Sequence, residues 1–321
     1  MEAGLLLQIP AEMRNGDAMT AIHFLAAAAI LMVGLACAIL PFVAVWDRRL
    51  AVARRRSLYD KSAGQVESLT AILGALFAVA LGADLLMKGA VDSLMTGTWR
   101  IFWEGMVMIS AFAALCSIIV LYANRGLRNA FSVLSGLAFA ASSSLCILLV
   151  WAFLFGAVHA PAAGAEQAAH DLIVVLASVK SADFILFVLF SVLFAASGAY
   201  GLALCWHILL RKRDDFGRDY YSFVLGMRSR QAAYAGLFLS MIAAVQYSLY
   251  PQMDKDWALS RLPFAGEYAE AVLTGGLLCL PVAFALWYSM ARSSVPMQKR
   301  SYAFLSLFLL VAGAYCLLVR I

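Results

Sequence analysis

The sequence predicts an all-α integral membrane protein with eight transmembrane helices as two four-helix bundles, both termini lying outside. Three observations lead to this fold class: an apolar composition, eight long apolar runs, and an alternation of basic and acidic segments between the runs. Of the 321 residues, 64% are hydrophobic and 13% are charged, and the mean hydropathy is +0.86. Only helices satisfy their own backbone hydrogen bonds inside lipid, so the apolar runs are predicted to be helical.

Each apolar run is long enough to cross a bilayer, which takes about 20 helical residues. The predicted spans cover residues 20–46, 68–90, 101–122, 131–158, 183–210, 232–250, 269–291 and 302–320. Spans 1 and 5 both end in Trp-proximal, Arg-rich helical extensions, which favours two bundles in the same orientation. Positive-inside sorting alone would also make two such loops look alike. The predicted regions are a first bundle over 1–158, an outer linker over 159–182 and a second bundle over 183–321.

The basic residues predict the orientation in the membrane. Seventeen of the 24 Lys and Arg residues fall in four alternate segments, Asp47–Glu67, Ala123–Ala130, Arg211–Gln231 and Arg292–Arg300. The rest of the chain holds 7 basic and 13 acidic residues. The positive-inside rule places the four basic segments in the cytoplasm and both termini on the other side of the membrane. A basic face beside anionic lipid is an ordinary result of insertion, so lipid and no nucleic acid is the expected partner.

Two segments outside the spans also have predicted roles. Residues 1–20 lack the basic start and the small-residue cleavage site of a secretory signal, so span 1 is expected to be retained as an anchor. The outer segment Ala157–Asp183, which contains the linker, begins "AVHAPAAGAEQ" and continues into "AHDLIVVLASVKSA". The second piece is too short to span and apolar on one side, so it is predicted to lie in the outer interface as an amphipathic helix.

The cysteines are predicted to be small buried hydrophobes. All six lie inside apolar runs at wide spacing: Cys37, Cys116, Cys146, Cys205, Cys279 and Cys316. The sequence contains no CxxC, no CxxCH for covalent haem and no iron–sulfur run. Any electron carrier bound by this chain is therefore expected to be non-covalent.

The chain has four histidines, of which two are candidate haem-binding residues. His23 lies a few residues inside the outer end of span 1, where a histidine is a functional candidate and where imidazole could be an axial ligand to the iron of a haem b. The alternative is an interfacial histidine hydrogen-bonded to a neighbouring helix. His159 and His170 flank the outer linker, where solvated histidines are common, and His170 is the second candidate haem-binding residue. His207, beside Arg211, is expected to be an interfacial side chain.

Two acidic residues enter the spans near the predicted depth of His23. Glu104 begins span 3 in "TWRIFWEGMVMIS", and Asp84 lies near the outer end of span 2 in "ALGADLLMKG". Both side chains could simply reach the surface, with Asp84 pairing with Lys88 four residues on. A histidine and two carboxylates at one depth of a helical bundle are also what a haem pocket or a quinol proton-release site needs.

The chain resembles subunit I, the haem-bearing subunit, of cytochrome bd quinol oxidases. The resemblance covers roughly residues 20–250 and rests on "IHFLAAAAILMVGLA", the loop and span "LYDKSAGQVESLTAILGALFAVALG", "WRIFWEG", "LSGLAFAASSSLCILLVWAFLFGAVHAP" and the "LLRKRD" exit from span 5. It implies that His23 occupies the position of the family's span-1 haem ligand. It also implies a redox subunit that handles haem b and quinone.

The sequence departs from that family at several functional positions. The region of the second axial histidine reads "FILFVLF", and the acidic pair of the third span falls on "ISAFAALC". The long quinol-binding loop is shortened, and the C-terminal Arg-Gln-Pro-Trp motif and the ninth span are missing. The isolated chain is therefore not expected to reduce oxygen.

The expected function is that of a membrane subunit of a respiratory electron-transfer complex, serving as its quinol-side or haem b module. The alternative is a haem-free membrane scaffold that holds a peripheral redox enzyme. The expected partners are other subunits of the complex, with a cytochrome c or an iron–sulfur protein on the acidic outer face.

Overall fold

A computed structural model of the chain describes residues 18–87, 98–154, 173, 175–214, 216–249 and 269–318. Within these ranges the side chains of 18–27, 98, 125, 153–154, 183, 246–247, 249, 269–273 and 315–318 are outside the described set. All regular secondary structure within these ranges is helical, which confirms the all-α class. The eight long helices are α1 (Ala18–Arg54), α2 (Ser57–Leu86), α3 (Thr98–Tyr122), α4 (Arg125–Leu154), α5 (Ala182–Leu210), α6 (Arg218–Leu249), α7 (Ala269–Ala291) and α8 (Arg300–Leu318).

Six of these helices are long and apolar enough to cross a membrane. Their apolar parts are Ala28–Arg54, Ser57–Leu86, Trp99–Tyr122, Gly126–Ala152, Phe184–Leu210 and Thr274–Ala291. The first half of α6 instead carries Arg218, Asp219, Arg228 and Arg230, which leaves it a short apolar part. The spans predicted over 232–250 and 302–320, in α6 and α8, stay predictions.

The helices continue well beyond the predicted spans at the end that carries the basic segments. α1 runs on to Arg54 and α2 begins at Ser57, so the first basic segment is almost entirely helical. The connecting turn places Arg55 at a φ of 49°, the left-handed region that favours glycine. We call this end of the helices, which bears the connections 55–56, 123–124, 211–217 and 292–299, the basic end.

Helix contacts follow the order of the chain. α1 packs on α2, α2 on α3, α3 on α4, and α4 back on α1; α5 to α8 make the same cycle of contacts. α1 also packs against α5 and α8, and it is therefore the central helix between the two cycles. The α3–α4 contact contains two buried hydroxyl pairs, Ser110 with Ser142 at 2.6 Å and Ser117 with Ser135 at 2.5 Å. Such small polar residues let helices approach closely in lipid.

Large apolar side chains lie on the outside of the molecule as well as in its core. Leu76, Met108 and Phe238 are each more than half exposed, and they belong to a set of exposed aliphatic and aromatic residues on most of the helices. A water-soluble protein rarely exposes so many large apolar side chains. This exterior, with the six apolar helices, supports a multi-pass membrane protein.

The outer linker is described only near its end. Residues 175–178 are helical there, inside the segment predicted to be an interfacial helix. The Trp151 Nε1–H group of α4 donates to Ser178 Oγ at 2.9 Å, and Val175 is buried. This part of the linker is therefore packed against the first four helices.

Candidate functional site

A buried ion pair joins the two cycles of helices at the basic end. Arg228 of α6 binds the Asp47 carboxylate of α1 through Nη2, and both side chains are fully buried. Ser62 of α2 donates to Asp47 Oδ2 at 2.8 Å and accepts from Arg228 Nη2 at 2.9 Å. Ionisable side chains inside membrane helices are expensive to bury, and they are functional-site candidates by default. The three residues come from three helices, so the pair fixes how those helices meet.

Gln65 is the centre of a second set of buried hydrogen bonds, one turn from Ser62 on α2. Its Oε1 lies 2.7 Å from the Tyr220 hydroxyl and 2.7 Å from Nδ1 of His207. Its Nε2 donates to Oδ2 of Asp214 at 2.8 Å. His207 and Tyr220 are fully buried, whereas the Asp214 side chain is a quarter exposed. The set therefore leads from a buried imidazole to the surface of the basic end.

The partners of Gln65 determine the tautomer of His207. The Asp214 carboxylate accepts from the amide nitrogen of Gln65, so the other amide atom is the carbonyl oxygen. That oxygen accepts from Tyr220 and can interact with His207 only if Nδ1 carries the proton. In the neutral imidazole His207 Nε2 is then an acceptor, and it is buried without a hydrogen-bond partner among the residues that the structure describes.

Two buried tyrosines, Tyr220 and Tyr221, join these hydrogen bonds to the connection between α5 and α6. Burial raises the pKa of Tyr220, in the first turn of α6 before its apolar part, so its hydroxyl stays protonated and donates to Gln65. The hydroxyl of Tyr221 donates to the backbone carbonyl of Asp214 at 2.7 Å. These two tyrosines hold the connection between α5 and α6 in place.

A separate polar cluster lies within the first four helices. Arg48 pairs with Glu67 and donates from Nη1 to Oδ1 of Asn129 at 2.9 Å. Ser132 donates to Oε1 of Glu67 at 3.0 Å. The cluster links α1, α2 and α4, and because its members all pair with one another we interpret it as structural.

None of the site residues predicted from the sequence belongs to the hydrogen-bond sets described above. Two of them lie in other parts of the helices, and the side chains of the other two are not described. His23 lies in α1, but its side chain is not among those described, and neither is any part of His170. The side chain of Glu104 is 46% exposed and forms an ion pair with Arg100 at 3.0 Å, one turn away on α3. Asp84 is half-buried near the end of α2. Whether these residues share a site stays a prediction.

One prediction about a histidine is wrong. His207 was expected at the interface, but it is fully buried, because α5 packs on α2 and places the ring against Gln65.

The sequence contained a weak signal for the buried ion pair: Asp47 is an acidic residue at the end of an apolar run. Its partner Arg228 is 181 positions away, so their pairing depends on tertiary structure.

The described cysteines fit their predicted role in part. The thiols of Cys37, Cys116 and Cys205 are buried, those of Cys146 and Cys279 are half-buried, and all five are free. Within the described ranges, no group of three or more His, Cys, Asp or Glu side chains could hold a metal ion. Among the described histidine side chains, His207 has one ring nitrogen held by Gln65 and the other, Nε2, buried without a described partner.

Comparisons with known proteins add no assignment: no protein-family model, no curated protein and no solved structure matches the chain.

Proposed function

We propose that the chain is a multi-pass membrane subunit of a respiratory electron-transfer complex in the bacterial inner membrane, related to subunit I of cytochrome bd quinol oxidases. In this proposal all eight helices span the membrane as two four-helix bundles, the basic end is cytoplasmic and both termini are outside. The support is the resemblance over residues 20–250 together with the contact pattern, in which each set of four helices closes on itself.

The observation that carries the redox assignment is the Nε2 of His207, which has no described hydrogen-bond partner. Its imidazole is buried, Gln65 holds the other ring nitrogen, and Gln65 connects the ring to Asp214 at the surface. A nitrogen in this state accepts a hydrogen bond from a quinol hydroxyl or binds haem iron. Such chains of buried polar groups also mark proton paths in membrane proteins.

A haem b would supply one-electron transfer, and the chain's own residues would bind and orient it. On the evidence of donor chemistry His207 is a candidate ligand at the basic end, and His23 remains the candidate that the resemblance implies at the other end. Quinone is the second proposed cofactor, with Glu104 and Asp84 as the proposed proton-release residues. We expect a cytochrome c or an iron–sulfur protein to bind the outer face as partner.

The second candidate function is a haem-free scaffold for a peripheral redox enzyme. The observation that favours it is the Asp47–Arg228 pair, which links α1 to α6. The two charged groups bind each other, as expected of a structural ion pair. A scaffold needs fixed helix positions, and this pair provides one fixed point between the two sets of helices.

A visible difference spectrum separates the two functions. The purified chain is measured as isolated and after reduction with dithionite, alongside the variants His23→Ala, His170→Ala and His207→Ala, with His159→Ala as the control. The redox module predicts b-type bands that are lost or shifted in His207→Ala or His23→Ala and kept in the control. A protein that inserts normally, is purified from its native membrane and shows no bands would exclude the haem module and leave the scaffold.

A further inference from the structure

A cavity at the basic end has a strongly basic lining. It has a volume of about 580 Å³ and lies between the connection from α5 to α6 and the connection from α7 to α8. The charged residues that line it, among those the structure describes, are Arg211, Arg218 and Arg300. All three are exposed, and none forms an ion pair with another described residue. The cavity therefore presents three guanidinium groups that form no ion pair within the described part of the chain.

Neutral donors complete the lining. The side chains of Ser222 of α6, Ser294 and Gln298 reach the same cavity, and each carries a group that donates hydrogen bonds. Guanidinium groups bind phosphate oxygens in bidentate fashion, and hydroxyl and amide groups satisfy the remaining oxygens. Three arginines around one cavity thus match a phosphate group that carries negative charge.

The surroundings of the cavity favour a phosphate that belongs to a lipid. Three large apolar residues lie near the helix ends that border the cavity: Leu209 near the end of α5, Tyr288 near the end of α7 and Phe304 near the start of α8. They are exposed by 60%, 41% and 42%, respectively. A headgroup in the cavity would leave its acyl chains beside these side chains. Basic pockets between membrane helices on the cytoplasmic side are known to take anionic headgroups.

We propose that this cavity binds the phosphate of an anionic phospholipid of the inner leaflet, with Arg211, Arg218 and Arg300 as its ligands. The bound lipid would join the α5–α6 connection to the start of α8, two parts of the chain that are far apart in sequence. The proposal requires the basic end to face anionic lipid, and it is independent of whether the chain binds haem or quinone.

The test titrates the detergent-solubilised full chain with phosphatidylglycerol, with phosphatidylcholine and with inorganic phosphate, and it follows the midpoint of thermal unfolding. A ligand that binds only the folded state raises this midpoint. The pocket variant is Arg211→Gln, Arg218→Gln and Arg300→Gln together. The control variant is Arg49→Gln, Arg56→Gln and Arg230→Gln, which removes the same charge from three exposed residues of the basic end outside the cavity.

The expected result is that phosphatidylglycerol stabilises the wild type and the control variant, whereas the pocket variant binds it roughly tenfold or more weakly. If inorganic phosphate alone stabilises the protein equally and the pocket variant abolishes this, the phosphate site stands and its source is a soluble compound. An equal effect of phosphatidylcholine, or an equal loss in both triple variants, would overturn the proposal. Binding by the pocket variant at wild-type strength would overturn it as well.

Discussion

Arg228 and Asp47 form the buried ion pair that, with Ser62, makes up the buried network between α1, α2 and α6. Both are fully buried, and each neutralises the other in a region that water does not reach. Removing one member of such a pair leaves an uncompensated buried charge, whereas replacing both with apolar groups of similar size is often tolerated. The network is therefore expected to respond very differently to single and double substitutions.

Arg228→Met is predicted to lower the free energy of unfolding by about 3–5 kcal/mol, because Asp47 is then buried without its partner. The double variant Asp47→Leu, Arg228→Met is predicted to regain most of that loss. Glu104→Gln is the control, since the exposed pair of Glu104 with Arg100 on one helix contributes less than about 0.5 kcal/mol. The free energies of unfolding of the single variant, the double variant and the control are measured in mixed micelles. An Arg228→Met variant as stable as the control would show that the pair does not hold the helices.

At the scale of helices, close packing depends on glycines where two helices touch. A Cβ atom added at Gly313 of α8 would lie 2.9 Å from the carbonyl oxygen of Gly276 on α7, which is backbone and cannot rotate away. The outward-facing Gly275 of α7 has open space instead. The α7–α8 contact therefore requires a glycine at position 313 but not at position 275.

Gly313→Ala is predicted to destabilise the protein by about 1–3 kcal/mol, because the two helices must move apart. Gly275→Ala is the matched control and is predicted to leave stability unchanged or raise it by up to about 1 kcal/mol, since alanine is the better helix former. Thermal unfolding of both variants checks the prediction. Equal midpoints for the two would contradict the α7–α8 packing described here.

The helices could be predicted from the sequence because apolar length is a local property. The run that ends at Trp46 predicts a helix, and α1 contains that run. The continuation to Arg54 follows from good helix formers in the basic segment. The pairing of Asp47 with Arg228, and the burial of His207 against Gln65, could not be predicted, since they arise only when α1, α2, α5 and α6 meet.

At the scale of the whole molecule, the orientation in the membrane connects the remaining proposals. The basic end carries the buried network, the basic cavity and all four basic connections. The proposed partner, by contrast, binds the acidic opposite face, near the predicted depth of His23. A path between the two ends would thus cross the molecule, and its direction depends on which end is cytoplasmic.

Cysteine labelling of intact cells is predicted to place the basic end in the cytoplasm. The variants Arg55→Cys and Ser294→Cys are expected to resist a membrane-impermeant maleimide, whereas Glu166→Cys and Asp254→Cys are expected to react, because the positive-inside rule holds the basic segments on the cytoplasmic side. Permeabilised cells provide the control for reactivity. Labelling of Arg55→Cys from outside would reverse the orientation and remove the basis of the lipid proposal.

The central claim, that this chain is a subunit of a respiratory electron-transfer complex, is tested most directly by its partners in the native membrane. The protein is tagged, solubilised in a mild detergent, purified in one step and examined by mass spectrometry, with an unrelated tagged multi-pass protein as the control. The account predicts stable co-purification of a redox subunit, such as a cytochrome c or an iron–sulfur protein, with the tagged chain alone. Recovery of a monodisperse, partner-free protein would contradict it.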